Sequence, residues 1–319
     1  MKQAKLNALV YGLFFAMVAV MGFFFTNPYY QQLVTFIGIN VLLAVGLNML
    51  MGYAGQISLG HAAFFGLGAY ATGVVTVHLS WSPWLGLVAA VVLCALVAYL
   101  VGLPTLKLTG YYLAMGTLGF GMIVLVVFQH WLGVTGGPSG LVGIPELTLG
   151  RISLSTGRNC LWLTWGLVGI SFFVCQRIIS SRVGRALRAV HFSERAAAAV
   201  GVNTAGAKLS VFVFSAVLAG IAGFLYAHTV SFISPGSFSF LTSIRLVAMV
   251  VIGGMASIWG SLFGAALLTL LPEFLHIFSD YEMVIYGLIL MLVMIFFPEG
   301  LFVEARNALQ RNWRRNAGN

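Results

Sequence analysis

Charge is scarce in this chain, and acid is scarcest. Only 7% of the 319 residues are charged, and the seven acids are Glu146, Glu194, Glu273, Asp280, Glu282, Glu299 and Glu304. None of them falls inside the long apolar runs, where a proton-coupled carrier usually keeps a carboxylate. Cysteine is nearly as rare, and Cys94, Cys160 and Cys175 show neither CxxC nor metal-ligand spacing. Cys94 and Cys175 lie in apolar runs and read as small hydrophobes. No Walker A, HExxH or GxSxG pattern is present, so the chain reads as non-enzymatic, with no catalytic residue to name.

What the chain has instead is apolar length. Hydrophobic residues make up 60%, Gly reaches 38, and the mean hydropathy is +1.00. A soluble domain averages about half apolar and about a quarter charged. The apolar runs are continuous rather than alternating, which selects helices over a barrel. The expected fold is therefore all-α, a polytopic integral membrane protein. The start, residues 1–25, has a charged lead and about 20 apolar residues but no small-residue cleavage site, and reads as a first span. Runs of that length predict spans at 6–25, 33–51, 62–79, 84–103, 111–131, 161–179, 209–230, 241–252, 258–271 and 283–297. The pair within 241–271 is short enough to be re-entrant.

About ten crossings put both termini on one side. Taking that side as cytoplasmic leaves only Arg151, Arg158 and Arg245 outside among the sixteen Lys and Arg, a positive-inside bias that favours N-in/C-in. The same bias explains the net charge of +9 without a nucleic-acid partner. The whole of 1–319 reads as one transmembrane domain with an outer loop at 133–159, a cytoplasmic loop at 181–208 and a basic cytoplasmic tail at 298–319.

Two Gly-rich segments interrupt the apolar pattern, at 52–61 and 253–265, in opposite halves of the chain. Matching breaks of this kind point to a transport pathway, although glycines also serve tight helix packing. Gln56, Ser58 and His61 in the first, and Gly253 and Gly254 in the second, are candidate pathway residues, since polar groups at membrane depth need partners or water. The Gly133–Gly140 loop, with Gly136 and Gly137, suits turns that serve a docking protein, a passing substrate or only the loop itself.

The cytoplasmic loop is a polar island of two short helices. The first is 183–190, with Arg182, Arg185 and Arg188 on one side, Val183, Leu187 and Val190 facing away, and His191-Phe192 breaking it. The second is capped by Ser193, opened by Glu194 and Arg195, and stopped at Gly201. Its Ala196–Ala199 run, Ala198 included, makes a thin rod able to enter a partner's groove; a solvated loop with no partner is the alternative.

Four ordered stretches carry a resemblance: GLNMLMGYAGQISLGHAAFFGLGAYATG (46–73), VTGGPSGL (134–141), SRVGRALRAVHFSERAAAAVGV with the following KLSVFVFSAVLAGIAGFLYAH (181–228), and MVVIGGMASIWGSLFGA (249–265). Together they resemble the permease subunits of branched-chain amino-acid ABC importers, of the LivM-like kind. The resemblance implies an ABC importer permease fold in the bacterial inner membrane. It also implies a second homologous permease, two cytoplasmic ATPases that hold ATP and Mg, and a periplasmic binding protein. No cofactor is expected on this chain. Residues 194–201 match the family's coupling helix, which gives Arg185, Arg188, Ser193, Glu194, Arg195, Ala198 and Gly201 as ATPase-coupling candidates. Three departures stand out. The family's GG-x-G-[ST] pattern has Ala256 here, and a Pro near 261 is replaced by Ser261. Arg245 takes a position often acidic or apolar, near the outer mouth, where a cation suits a carboxylate-bearing substrate. Permeases for urea, short amides or another small solute, and a channel or secondary carrier without ATPases, are the alternatives.

Overall fold

The computed structural model describes residues 27–149, 152–154, 157–275, 282–297 and 300–304. The expected first span at 6–25, Arg151 and most of the basic tail lie outside them. The described chain runs α1 (Pro28–Asn48), α2 (His61–Gly73), α3 (Pro83–Thr105), α4 (Tyr111–His130), α5 (Gly157–Ser180), α6 (Arg182–Phe192), α7 (Glu194–Ala199), α8 (Thr204–Val230), α9 (Phe240–Gly253), α10 (Ile258–Leu275) and α11 (Glu282–Phe296). A π turn, Met49–Tyr53, ends α1, and another, Val74–His78, extends α2. Among the described residues, six helices (α1, α3, α4, α5, α8 and α10) are long and apolar enough to cross a membrane.

α1 starts where Asn27 accepts a hydrogen bond from the Tyr29 amide at 3.0 Å, with Pro28 at the first helical position. It is the centre of the molecule: 83% of its most apolar stretch is buried, against 28% for α3 and 22% for α4. In a lipid environment burial alone does not drive helices together, so close contact between small residues has to. α3 shows this with a stripe at every fourth residue, Gly86, Ala90, Cys94, Ala98 and Gly102, all buried. The stripe seats against α8, where Cys94 and the Ala90 carbonyl leave no room for a side chain at Gly220. Cys94 also donates to the Phe64 carbonyl at 3.3 Å. On the other side of α8 a Cβ at Gly68 would strike the Gly220 backbone, and one at Gly223 the Phe65 carbonyl.

The connections gather at two ends. At one end lie the 54–60 break, α6, α7 and 254–257, with Gly55 against His191 and Gly300 against Gly254. At the other, His78 meets the Val134 carbonyl at 3.1 Å, Trp84 donates to the Thr148 carbonyl at 3.1 Å and His228 meets the Pro145 carbonyl at 2.9 Å. There β1 (Leu141–Val142) pairs antiparallel with β4 (Phe232–Ile233), in register Leu141↔Ile233, and β2 (Thr148–Leu149) with β3 (Ile152–Ser153).

Most expected span limits fall within a few residues of the helices, and three details differ. α10 continues through Pro272 to Leu275, so Glu273 rides in its last turn, exposed, accepting a hydrogen bond from the Tyr29 hydroxyl. A proline so near a helix end removes little of the hydrogen-bond ladder. His191 and Phe192 complete α6 rather than breaking it; the break is Ser193, whose backbone is extended at φ −162°. Val183 is exposed, and Gly184, Leu187 and Val190 form the buried side of α6.

Candidate functional site

Both Gly-rich breaks lie at the same end and touch. Asn48, at the last position of α1, is buried to 1% exposure and all its polar capacity goes to the second break. Its Nδ2 donates to the Ser257 carbonyl at 2.8 Å and to Ser261 Oγ at 2.6 Å, and its Oδ1 accepts from the Ala256 amide at 2.9 Å. Gly52 is closed in by the Asn48 amide and the Ala256 backbone, so no side chain fits there. Ser261 thus has a task in this chain: it joins Asn48 while α10 runs unbroken past it. Ala256 takes a left-handed backbone at φ 57°.

Gly253 lies against the Gly260 carbonyl and Gly264 against the Met249 carbonyl, so α9 and α10 meet backbone to backbone. Gly254 ends α9 at φ 106°. These glycines serve a tight joint.

The first break presents the start of α2. No side chain caps Gly60, yet two nearby amides are taken by neighbours: Leu59 N–H by Thr117 Oγ1 of α4 at 3.0 Å, and Ala62 N–H by Ser243 Oγ of α9 at 3.2 Å. The α2 start is therefore clamped between α4 and α9. His61 is not interfacial; it is 2% exposed and wedged near Gly46 of α1. His61 Nε2, Ser58 Oγ and Ser215 Oγ are buried without a partner among the described residues. Gln56 is buried and bonded at the end near α7.

Arg245 lies in the second turn of α9, exposed, and no hydrogen bond or ion pair engages it among the described residues. Leu241 and Ile244 share that open side, and α4 leaves Tyr111, Tyr112, Met115 and Ile123 uncovered. At the other end Gly136, Gly137 and Gly140 have φ of 73°, 60° and 74°. A Cβ at Gly136 would strike the Gly140 carbonyl, one at Gly140 the Ile233 carbonyl, and one at Gly137 the Leu132 side chain. These glycines let the loop pack on β4 and on itself.

The rod is as expected in form. Ser193 Oγ accepts from the Ala196 amide at 3.3 Å, and Gly201 follows at φ 83°. Ala197 is buried, while Arg195, Ala196, Ala198, Ala199 and Val200 are exposed; Phe192 beside them is 90% exposed. Arg185 and Arg188 face solvent, Arg188 reaching back to the Ile179 carbonyl at 3.4 Å. Glu194 turns the other way, into an ion pair with Lys208.

Asn48, Thr117 and Ser243 were not singled out from sequence, and Ser261 only as a departure from the family pattern. The only signal available for Asn48 was an amide inside an apolar run, a position that demands a partner.

Among curated proteins, the high-affinity branched-chain amino acid transport system permease protein LivM of Escherichia coli K12 is 34% identical over 270 residues, which cover 77% of this chain and 64% of that protein. The chain thus spans a little under two thirds of that relative's length. The probable branched-chain amino acid transport permease protein LivM of Methanocaldococcus jannaschii is 24% identical, covering 76% and 78%. The permease protein LivH of E. coli K12 is 26% identical over 188 residues, covering 55% and 60%. No solved structure matches the chain. The family model described as the permease component of branched-chain amino acid transport systems matches residues 29–294, and the chain belongs to that family.

Proposed function

We propose that this chain is a non-catalytic permease subunit of a bacterial inner-membrane ABC importer for branched-chain or other amino acids. The family match across nearly the whole described region carries this reading. Ten crossings with both termini inside, including the span at 6–25, set the end bearing α6 and α7 in the cytoplasm. Lys107, Arg182, Arg185, Arg188 and Arg195 gather at that end, as positive-inside insertion requires.

A second homologous permease completes the pore against the uncovered α4 and α9 faces, and a periplasmic binding protein delivers substrate to the end holding β1 and β4. Two cytoplasmic ATPases bind ATP and Mg, and one of them docks on α7 through Ala198, Val200 and the flanking Arg185, Arg188 and Arg195. Closure of the ATPase dimer moves α7 and switches the pore between outward and inward access, a coupling of two sites without chemistry in this chain. Arg245, the exposed cation of α9, offers a partner for a substrate carboxylate as it enters. Ser58 and His61, buried at the α2 start, lie level with the turn of α9 that carries Arg245, since Ser243 holds the Ala62 amide.

The test is uptake of labelled leucine by vesicles holding this chain, the second permease, both ATPases and the binding protein. Uptake should require ATP and be competed by isoleucine and valine but not by urea. Uptake without ATP or ATPases would sink the importer reading, and competition by urea alone would reassign the substrate.

A further inference from the structure

The island and the first break meet in one buried polar cluster. Lys208, in the first turns of α8, is 5% exposed, whereas Arg182, Arg185, Arg188 and Arg195 of the same island are all exposed. Positive-inside topology accounts for the exposed four and not for the buried one. Lys208 Nζ reaches both carboxylate oxygens of Glu194, at 3.0 and 2.9 Å. Glu194 is also the single acid between 181 and 208. The carboxylate then accepts from Gln56 Nε2 at 3.4 Å, and the same amide donates to the Ala54 carbonyl at 3.1 Å. Beside them Gly55, at φ 69°, leaves so little room that a Cβ would lie 3.3 Å from the His191 ring.

We propose that Gln56, Glu194 and Lys208 act as positioning residues, a relay that ties the place of α7 to the place of the 54–60 segment and hence of the α2 start. The proposal rests on the reading that α7 docks an ATPase. Lys208 is shut from water while Glu194 keeps 34% of its side chain exposed, so pulling the pair apart leaves the Lys208 charge buried and uncompensated. A shift of α7 therefore carries Lys208 and Gln56 with it. Gln56 passes the shift to the backbone at Ala54, just past the π turn that ends α1, where no regular helix resists it. The neighbouring Leu59 and Ala62 amides, held by Thr117 and Ser243, spread it to α4 and α9.

The experiment uses the full complex in proteoliposomes and measures leucine moved per ATP hydrolysed. Gln56→Leu removes the amide and leaves the ion pair and the rod intact. ATPase co-purification and hydrolysis should stay within about twofold of wild type, and leucine per ATP should fall about tenfold, within the usual range of coupling between sites. Glu194→Gln combined with Lys208→Met removes both charges while keeping their shapes. It should give the same loss, which guards against a folding defect in either variant. Leucine per ATP at the wild-type value in both variants, or hydrolysis and transport falling in parallel, overturns the relay. A wild-type complex that moves leucine without ATP overturns the importer reading first, and the relay with it.

Discussion

The seam around Asn48 and the rod α7 sit at the same end of the molecule and are built in opposite ways. At the seam, three hydrogen bonds from one side chain and several backbone-to-backbone contacts leave no spare volume. The rod is six residues long, buries only Ala197 and turns small apolar side chains outward. A surface so lightly anchored contributes little to its own fold, and its shape is set by a cap at each end. The difference separates two uses of small residues: glycine at the seam brings backbones together, and alanine on the rod leaves a thin, exposed profile.

Substitutions can break this comparison at either side. The largest effect is expected from Gly52→Ala, whose Cβ collides with Asn48 and the Ala256 backbone. It should cost more than about 3 kcal/mol and deplete folded, monodisperse protein in detergent. Asn48→Ala follows, leaving the Ala256 amide without its acceptor and taking the Asn48 donor from the buried Ser257 carbonyl and Ser261 hydroxyl. A loss of about 2–3 kcal/mol should appear as a lower midpoint in thermal unfolding. Val200→Glu on the rod should leave that midpoint within about 0.5 kcal/mol of wild type, while recovery of the ATPases on co-purification falls about tenfold. The smallest effect is expected at Ala256, where replacement by Gly relieves a left-handed alanine. It should raise the midpoint by about 1 kcal/mol or less, because glycine also gains freedom in the unfolded chain. A seam that tolerates Gly52→Ala, or a rod whose Val200→Glu variant unfolds early, would erase the distinction.

The span limits were readable because each apolar run stops at residues that stop helices. Pro28 and Pro83 open α1 and α3, Gly254 closes α9, and Ser193 and Gly201 bracket the rod. Glu273 was misplaced because Pro272 looks like a terminus, when a proline one turn from the end is tolerated. The seam was unreadable for a different reason. Asn48 and Ser257 are 209 positions apart, and nothing local in GLNML tells which distant carbonyl the amide will find. Gln56 suffered the same fate: its polarity at membrane depth was visible, but its bond to Glu194 depends on how α6 and α8 fold back.

α8 begins at Thr204, a few residues past the rod, and ends at Val230, beside the strand pair at the opposite face. At 1.5 Å per residue its 27 residues span about 40 Å, enough to cross a bilayer with its headgroups. Its near end is gripped by Glu194 through Lys208. Its far end is gripped by Cys160 against Thr229, 3.3 Å apart, and by the Pro145 carbonyl against His228. A single helix thus links the rod end of the molecule to the strand-pair end. A displacement at either grip is felt at the other, because a continuous hydrogen-bonded helix moves as one shaft.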